Sequence, residues 1–150
     1  MRLYDVLERN AKTTLENVEI TGITDDSRKV QPGSLFVCIQ GDHFDGHTVA
    51  AKMLEQGAVA VVVQRDLGLG ERQILVEDTR ICYGNLCAAW FGHPAEKLKT
   101  IGITGTKGKT TTTYMVKSIL ENAGYKVGLI GTIEAVIGEK HIPAANTTPE

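Results

Sequence analysis

Thr100-Ile101-Gly102-Ile103-Thr104-Gly105-Thr106-Lys107-Gly108-Lys109-Thr110-Thr111 is the stretch on which the fold turns. Thr100 to Thr104 is short and apolar and predicts a strand. Gly105 to Thr111 predicts a glycine-rich turn. After it, Met115, Val116, Ile119, Leu120 and Ala123 form the apolar stripe of a helix that Gly124 stops. Val127 to Ile130 predicts another short strand. Strand, loop, helix, strand is the opening of a parallel sheet in an α/β fold.

The loop has a direct chemistry. Glycines let the backbone bend so that several N–H groups converge on phosphate oxygens. The N-terminus of the following helix adds a partial positive charge at the same place. In such a loop Lys109 reaches the β- and γ-phosphates, and the Thr110 hydroxyl sits on Mg²⁺. The general phosphate-loop pattern asks for glycine where Ile103 stands, so this is a shorter variant. A solvated Gly/Lys turn would not explain four consecutive threonines, Thr110 to Thr113, at the start of a helix. Threonine is a poor helix former, though its hydroxyl serves caps and metals.

Upstream, the chain predicts a small α/β unit. A short helix covers 3–9, and Val18 and Ile20 alternate as in a strand. Ser34 to Ile39 is a buried strand opened by the turn pair Pro32-Gly33. Thr48 to Gln56 is helical, with Val49, Ala50, Met53 and Leu54 on one face and Gly57 as its stop. Ala58 to Val63 and Gln73 to Val76 are further strands. Asp78 caps a helix that runs to about Phe91, where Gly92 and Pro94 end it. The predicted division is therefore a domain at 1–98 and the start of a second at 99–150. Two or three strands cannot build a parallel sheet covered on both faces, so the chain is expected to be a piece cut partway through the second domain.

Composition bounds the class. The 150 residues are 42% hydrophobic and 23% charged, with a formal net charge of −2. That balance gives no basic excess to suggest nucleic acid. No apolar run approaches the roughly 20 residues that span a bilayer, and the N-terminus lacks the features of a secretion signal. Cys38, Cys82 and Cys87 fit neither a disulfide framework nor a zinc site and read as reduced, small buried residues. A cytoplasmic protein without membrane insertion is expected.

These motifs resemble the Mur ligases. The short loop Gly-Thr-x-Gly-Lys-Thr stands at Gly105 to Thr110. Upstream, Asp26-Ser27-Arg28-Lys29-Val30, then Pro32-Gly33-Ser34-Leu35-Phe36-Val37, Gly41 and Asp45-Gly46-His47 resemble the family's UDP-substrate domain. Gly128-Leu129-Ile130-Gly131-Thr132 and Asn146-Thr147-Thr148-Pro149-Glu150 are most similar to the branch that adds the third peptide residue. That branch joins meso-diaminopimelate or L-lysine to UDP-N-acetylmuramoyl-L-alanyl-D-glutamate (UDP-MurNAc-L-Ala-D-Glu). The branch that adds D-Ala-D-Ala is the alternative within the family.

The resemblance implies ATP-driven amide synthesis through an acyl phosphate, with ATP and Mg²⁺ as cofactors and Lys109 as the catalytic cation. It implies that Gly105, Thr106, Lys107, Gly108, Lys109, Thr110 and Thr111 bind ATP, with Thr110 also at the metal. Asp25, Ser27, Asp42, His43 and Phe44 match positions that hold the UDP-sugar, and Asn146, Thr147 and Thr148 match positions that reach its sugar and peptide end. Asp25 stands where relatives often carry leucine, so a contact there is expected from its backbone. Lys107 replaces the usual asparagine and is expected to face solvent. The second metal site and the amino-acid site belong to regions outside 1–150, so this piece alone is expected not to turn over.

Simpler roles compete at several positions. Ser27 and Arg28 could form only a turn, with Arg28 bracing it. Asp45 and His47 read as a cap for the helix at Thr48. Trp90 and Phe91 read as core, His93 and His141 as surface or cap residues. A UDP-sugar-binding module without catalysis is a second class of function. A GTPase would need a guanine-recognition motif such as Asn-Lys-x-Asp, which is absent.

Overall fold

The computed structural model describes residues 1–7, 13–42 and 44–144. They form two compact units, Met1–Lys99 and Thr100–Glu150.

The first unit is built on four parallel strands, β1 (Gly22–Thr24), β2 (Ser34–Val37), β3 (Ala60–Val63) and β4 (Gln73–Leu75), in that spatial order. Every residue of β2 and β3 is buried, as parallel strands covered on both faces require. Side chains alternate between the faces. Leu35, Val37, Ala60, Val62 and Ile74 pack with α1 (Leu3–Leu7) and α3 (Thr79–Trp90). Phe36, Val61 and Val63 pack with α2 (Ala50–Glu55) through Ala50 and Met53. Cys38 and Cys82 lie buried, one in each apolar cluster.

Local chemistry explains the element ends. The Asp78 carboxylate accepts from the backbone N–H groups of Arg80 (2.7 Å) and Ile81 (2.9 Å), capping α3. Gly57 ends α2 at φ 106°. A Cβ there would also stand 3.0 Å from Pro32 Cα, so both conformation and space select glycine.

Some expectations change. The predicted helix is formed over Leu3–Leu7, and 8 and 9 lie outside the described residues. Val18 and Ile20 do not make a strand of the sheet. They bond to the N-terminus, Leu3 N–H to Val18 O and Ile20 N–H to Met1 O, and β1 follows at Gly22–Thr24. The helix expected from Thr48 opens two residues early as a 3₁₀ turn, Gly46–Val49, and is α-helical from Ala50. Phe91 is 73% exposed and not core. The buried face of α3 is Thr79, Cys82, Leu86 and Ala89, and Phe91 falls off that face as the helix ends, while Trp90 packs partly against the core.

The second unit holds α4 (Lys109–Asn122) and the strands β5 (Gly128–Ile130), β6 (Glu134–Ile137) and β7 (Lys140–Pro143). These strands pair antiparallel in the order β5-β6-β7. Thr100–Thr104, expected as a parallel strand, joins no ladder among the described residues. Ile101–Ile103 and Leu129–Gly131 instead both line one cavity. A ladder needs strands about 4.8 Å apart. The short sheet covers only part of the stripe on α4, with Val116 and Leu120 half-buried. Met115 is 61% exposed and Ile119 65%, and α4 has no buried residue. Among the described residues, no helix is long and apolar enough to cross a membrane.

Candidate functional site

The glycine-rich loop leads straight into α4. Gly108 is the N-cap of that helix at φ 77° with no side-chain cap. A Cβ at Gly108 would meet open space, so the left-handed conformation alone calls for glycine there. The uncapped N-terminus leaves N–H groups turned toward the loop. Lys109 folds back, its Nζ donating to the Gly105 carbonyl at 2.7 Å. The Thr113 hydroxyl donates to the Lys109 carbonyl at 2.7 Å. Lys109 and Thr110 are half-buried and line the cavity, whose volume is about 290 Å³. Thr106, Lys107 and Thr111 are exposed.

Two residues of that cavity carry no signal in the sequence reading. The Tyr114 hydroxyl donates to Glu134 Oε1 at 2.6 Å. His141 Nδ1 lies 2.7 Å from Glu134 Oε2. These contacts, that of Tyr114 first, hold the Glu134 carboxyl below its ordinary range. Only the fold brings residues 114 and 134 together.

In the first unit, the candidate substrate loops leave the carboxyl ends of adjacent parallel strands, where open α/β sheets bind ligands. After β1, the Thr24 hydroxyl accepts from Asp26 N–H at 3.1 Å. The Asp26 carboxylate accepts from Arg28 N–H (3.0 Å), Nε (2.9 Å) and Nη2 (2.8 Å). The Arg28 hydrogen bonds hold Asp26 well below the usual carboxylate range. Arg28 thus braces the turn, and Ser27 sits half-buried within it. Asp25 lies beside the Tyr83 hydroxyl of α3, together with Cys87, and burial followed by the Asp25 charge pushes the Tyr83 phenol up. The Asp25 side chain is therefore engaged within the fold.

After β2, residues 39–42 and 44–46 form the two legs of a tight hairpin. Gly46 N–H donates to Ile39 O (2.9 Å) and Gly41 N–H to Phe44 O (2.8 Å), and Gln40 bridges Asp45. A Cβ on Gly46 would stand 3.0 Å from Ile39 N and 3.1 Å from Cys38 Cα, so the hairpin closes only with glycine. Asp42 and Phe44 lie exposed near its tip.

Asp45 and His47 form the cap expected of them, within a larger network. The Asp45 carboxylate accepts from His47 N–H (3.0 Å), His47 Nδ1–H (2.7 Å) and Arg65 Nη2 (2.7 Å). His47 Nε2 accepts from Gln64 N–H at 3.1 Å, which fixes the ring proton on Nδ1. Gln64 Oε1 accepts from the Thr79 hydroxyl at 2.8 Å. Arg65 first, then the His47 N–H, hold the Asp45 carboxyl down to about 2 against the opposing effect of burial.

A carboxyl depressed in the folded state gives stability that is complete above its unfolded value, about 3.9, and lost as pH falls through the folded value. The urea midpoint of the first unit is therefore expected to fall between about pH 5 and pH 2.5, and Asp45→Asn is expected to reduce that fall. Asp26 titrates in the same direction, so part of it remains. An Asp45→Asn chain with an unchanged acid dependence would remove the ion pair from the account.

The predicted site residues thus form two groups. Gly105 to Thr111 are contiguous at the start of α4, and Asp25, Ser27, Asp42 and Phe44 stand on neighbouring loops of the first unit. His43, Asn146, Thr147 and Thr148 lie outside the described residues.

Comparison with known proteins follows this division. The family pattern "Mur ligase family, catalytic domain" matches residues 19–89, and "Mur ligase middle domain" matches residues 103–150. The UDP-N-acetylmuramoyl-L-alanyl-D-glutamate–2,6-diaminopimelate ligase of Alkaliphilus metalliredigens is 46% identical over 100% of this chain, which spans 31% of that relative's length. The MurF ligase of Thermotoga maritima, solved in complex with ADP, is 30% identical over 67% of this chain and 23% of its own, with a TM-score of 0.51. A solved UDP-N-acetylmuramoyl-L-alanyl-D-glutamate–2,6-diaminopimelate ligase shares the fold, with a TM-score of 0.76 at 22% identity over 97% of this chain and 30% of its own. Two compact units, each matched by a pattern of one family and both carried by a relative of 46% identity, mean that the chain belongs to the Mur ligase family.

Proposed function

We propose that this chain carries the UDP-substrate unit and the nucleotide loop of a ligase that adds the third peptide residue to UDP-MurNAc-L-Ala-D-Glu in peptidoglycan precursor synthesis, in the cytoplasm. The observation that carries this reading is the 46% identity along the whole chain to a relative named for that substrate and for 2,6-diaminopimelate. That name favours diaminopimelate over lysine as the amine. The D-Ala-D-Ala-adding branch is the second reading, supported by solved MurF structures at 30–31% identity.

The residues of the loop fit ATP with Mg²⁺. Gly108 opens α4 without a side-chain cap, and Lys109 and Thr110 line the cavity beside it. Bound there, ATP supplies the phosphoryl group that activates a carboxylate, and Mg²⁺ neutralises charge. Gly105 to Thr111 bind the phosphates, with N–H groups that need no reorganisation. Lys109 exchanges its bond to the Gly105 carbonyl for phosphate oxygens. The Thr110 hydroxyl is the metal ligand, and Lys107 stays in solvent. In the first unit, Asp25 and Ser27 hold the UDP part, Asp25 through its backbone, with Asp42 and Phe44 on the facing hairpin. His43 and Asn146 to Thr148 complete the set by family position.

Calorimetric titration of the chain with UDP-MurNAc-L-Ala-D-Glu, with UDP-glucose and ATP–Mg²⁺ alongside, tests the reading. Selective binding of the muramoyl dipeptide, weakened by Ser27→Ala, is expected. A folded chain that binds no UDP compound would overturn the assignment of these loops.

A further inference from the structure

The hairpin that carries Asp42 and Phe44 is gripped on both legs. Arg80, at the start of α3, donates Nη2–H to the Gln40 carbonyl at 2.8 Å, across 40 positions of sequence. Arg65, just past β3, donates Nη2–H to Asp45 Oδ2 at 2.7 Å. Gln40 and Asp45 face each other across the hairpin bridge. The two guanidinium groups therefore reach the same rung from two different elements. One turn along α3, Tyr83 stands beside Asp25. Residues three apart share a helix face, so one face of α3 touches both substrate loops.

A stabilising role accounts for part of Arg65 and little of Arg80. Arg65 pairs with the Asp45 carboxylate, while Arg80 is exposed and bonds a backbone carbonyl, and exposed contacts of that kind contribute little to folding. The hairpin closes through its own backbone bonds, and α3 is capped by Asp78. What the arginines add is a fixed place for an otherwise solvent-exposed tip.

We propose that Arg80 and Arg65 are positioning residues for UDP-sugar recognition, setting the spacing between Asp42 and Phe44 on the hairpin and the Asp25–Ser27 turn. This rests on reading those two loops as the substrate site. Pre-ordering a loop raises affinity by removing the cost of ordering it on binding. A rigid fork does this better than a lysine on a flexible stem.

The test uses the chain as it stands. Arg80→Met, Arg80→Lys, Arg65→Met and the double Met variant are titrated with UDP-MurNAc-L-Ala-D-Glu. Urea midpoints and hydrogen exchange at the Gly41 amide are measured in parallel. Arg80→Met keeps the backbone N–H that Asp78 caps, and methionine is a good helix former. Each Met variant is expected to bind about 5- to 10-fold more weakly, Arg80→Met with its urea midpoint little changed and Arg65→Met with a midpoint lowered by the loss of the Asp45 pair, and Arg80→Lys to recover part of the loss. The double variant is expected to lose less than the product of the singles, because both act on one hairpin. Gly41 exchange is expected to quicken about 10-fold. Affinities within about twofold of the parent, or losses that merely track a lowered midpoint, would overturn the proposal. A parent chain that binds no UDP compound sinks the substrate reading and with it the recognition role. Gly41 exchange then still decides whether the arginines hold the hairpin, and unchanged exchange would refute that too.

Discussion

Replacing Phe36 by alanine is expected to lower the stability of the first unit by about 3–5 kcal/mol. Phe36 is fully buried in β2, which lies between β1 and β3. Its cluster includes Ala50, Met53, Ala58 and Val61. The cost of truncation is the lost transfer energy of the ring plus the cavity left behind, and the cavity grows where neighbours cannot collapse. Ala50 and Ala58 are too short to fill it, which places the loss high in the range. A domain of this size is stable by only about 5–15 kcal/mol, so the variant should sit near its unfolding threshold. Urea unfolding followed by far-UV circular dichroism measures this. Phe36→Leu should cost less than about 1.5 kcal/mol. Phe91→Ala, at an exposed position, should stay within about 0.5 kcal/mol of the parent. Equal midpoints for Phe36→Ala and Phe91→Ala would mean that the packing of β2 against α2 is wrong.

The second large effect concerns nucleotide. Lys109→Met is expected to weaken ATP–Mg²⁺ binding by about 10- to 140-fold, since a hydrogen bond to a charged group contributes about 1.5–3 kcal/mol and each 1.4 kcal/mol is tenfold. The fold should be indifferent. The bond Lys109 makes to the Gly105 carbonyl is exposed, and methionine suits a first helical turn. Lys109→Arg should not restore binding fully, because a planar fork cannot take the place of a compact ammonium. Lys107→Ala, at an exposed residue, should cost only a few-fold through lost general attraction. Titration with ATP–Mg²⁺ separates the two lysines. Equal losses at 107 and 109 would show that the loop attracts phosphate by net charge alone.

Elements whose signals are local were legible in the sequence. The capped start of α3 at Asp78, the stop at Gly57 and the buried runs of β2 and β3 each follow from a few neighbouring residues. The glycine-rich turn that opens α4 was legible for the same reason, since glycines, lysines and threonines stand within seven positions. Elements that depend on distant partners were not. β1 is only three residues long and is defined by its pairing with β2. Thr100–Thr104 carries a strand pattern, but pattern cannot supply a neighbouring ladder. The antiparallel pairing of β6 with β7 went unread because six of the ten residues of Glu134–Pro143 are polar or turn-forming. In the site, the Asp45–His47 pair was legible because the residues are two apart. Arg65, Gln64 and Arg80 were hidden by separations of 17 to 40 residues.

The histidine at the centre of that network has a further use. With Nδ1 donating to Asp45 and Nε2 accepting from Gln64, both ring nitrogens of His47 are committed, and the ring is buried. A proton held this way is shielded from exchange with solvent. The chain therefore contains a native magnetic-resonance reporter, one ring signal whose persistence records whether the ends of β2 and β3 remain joined.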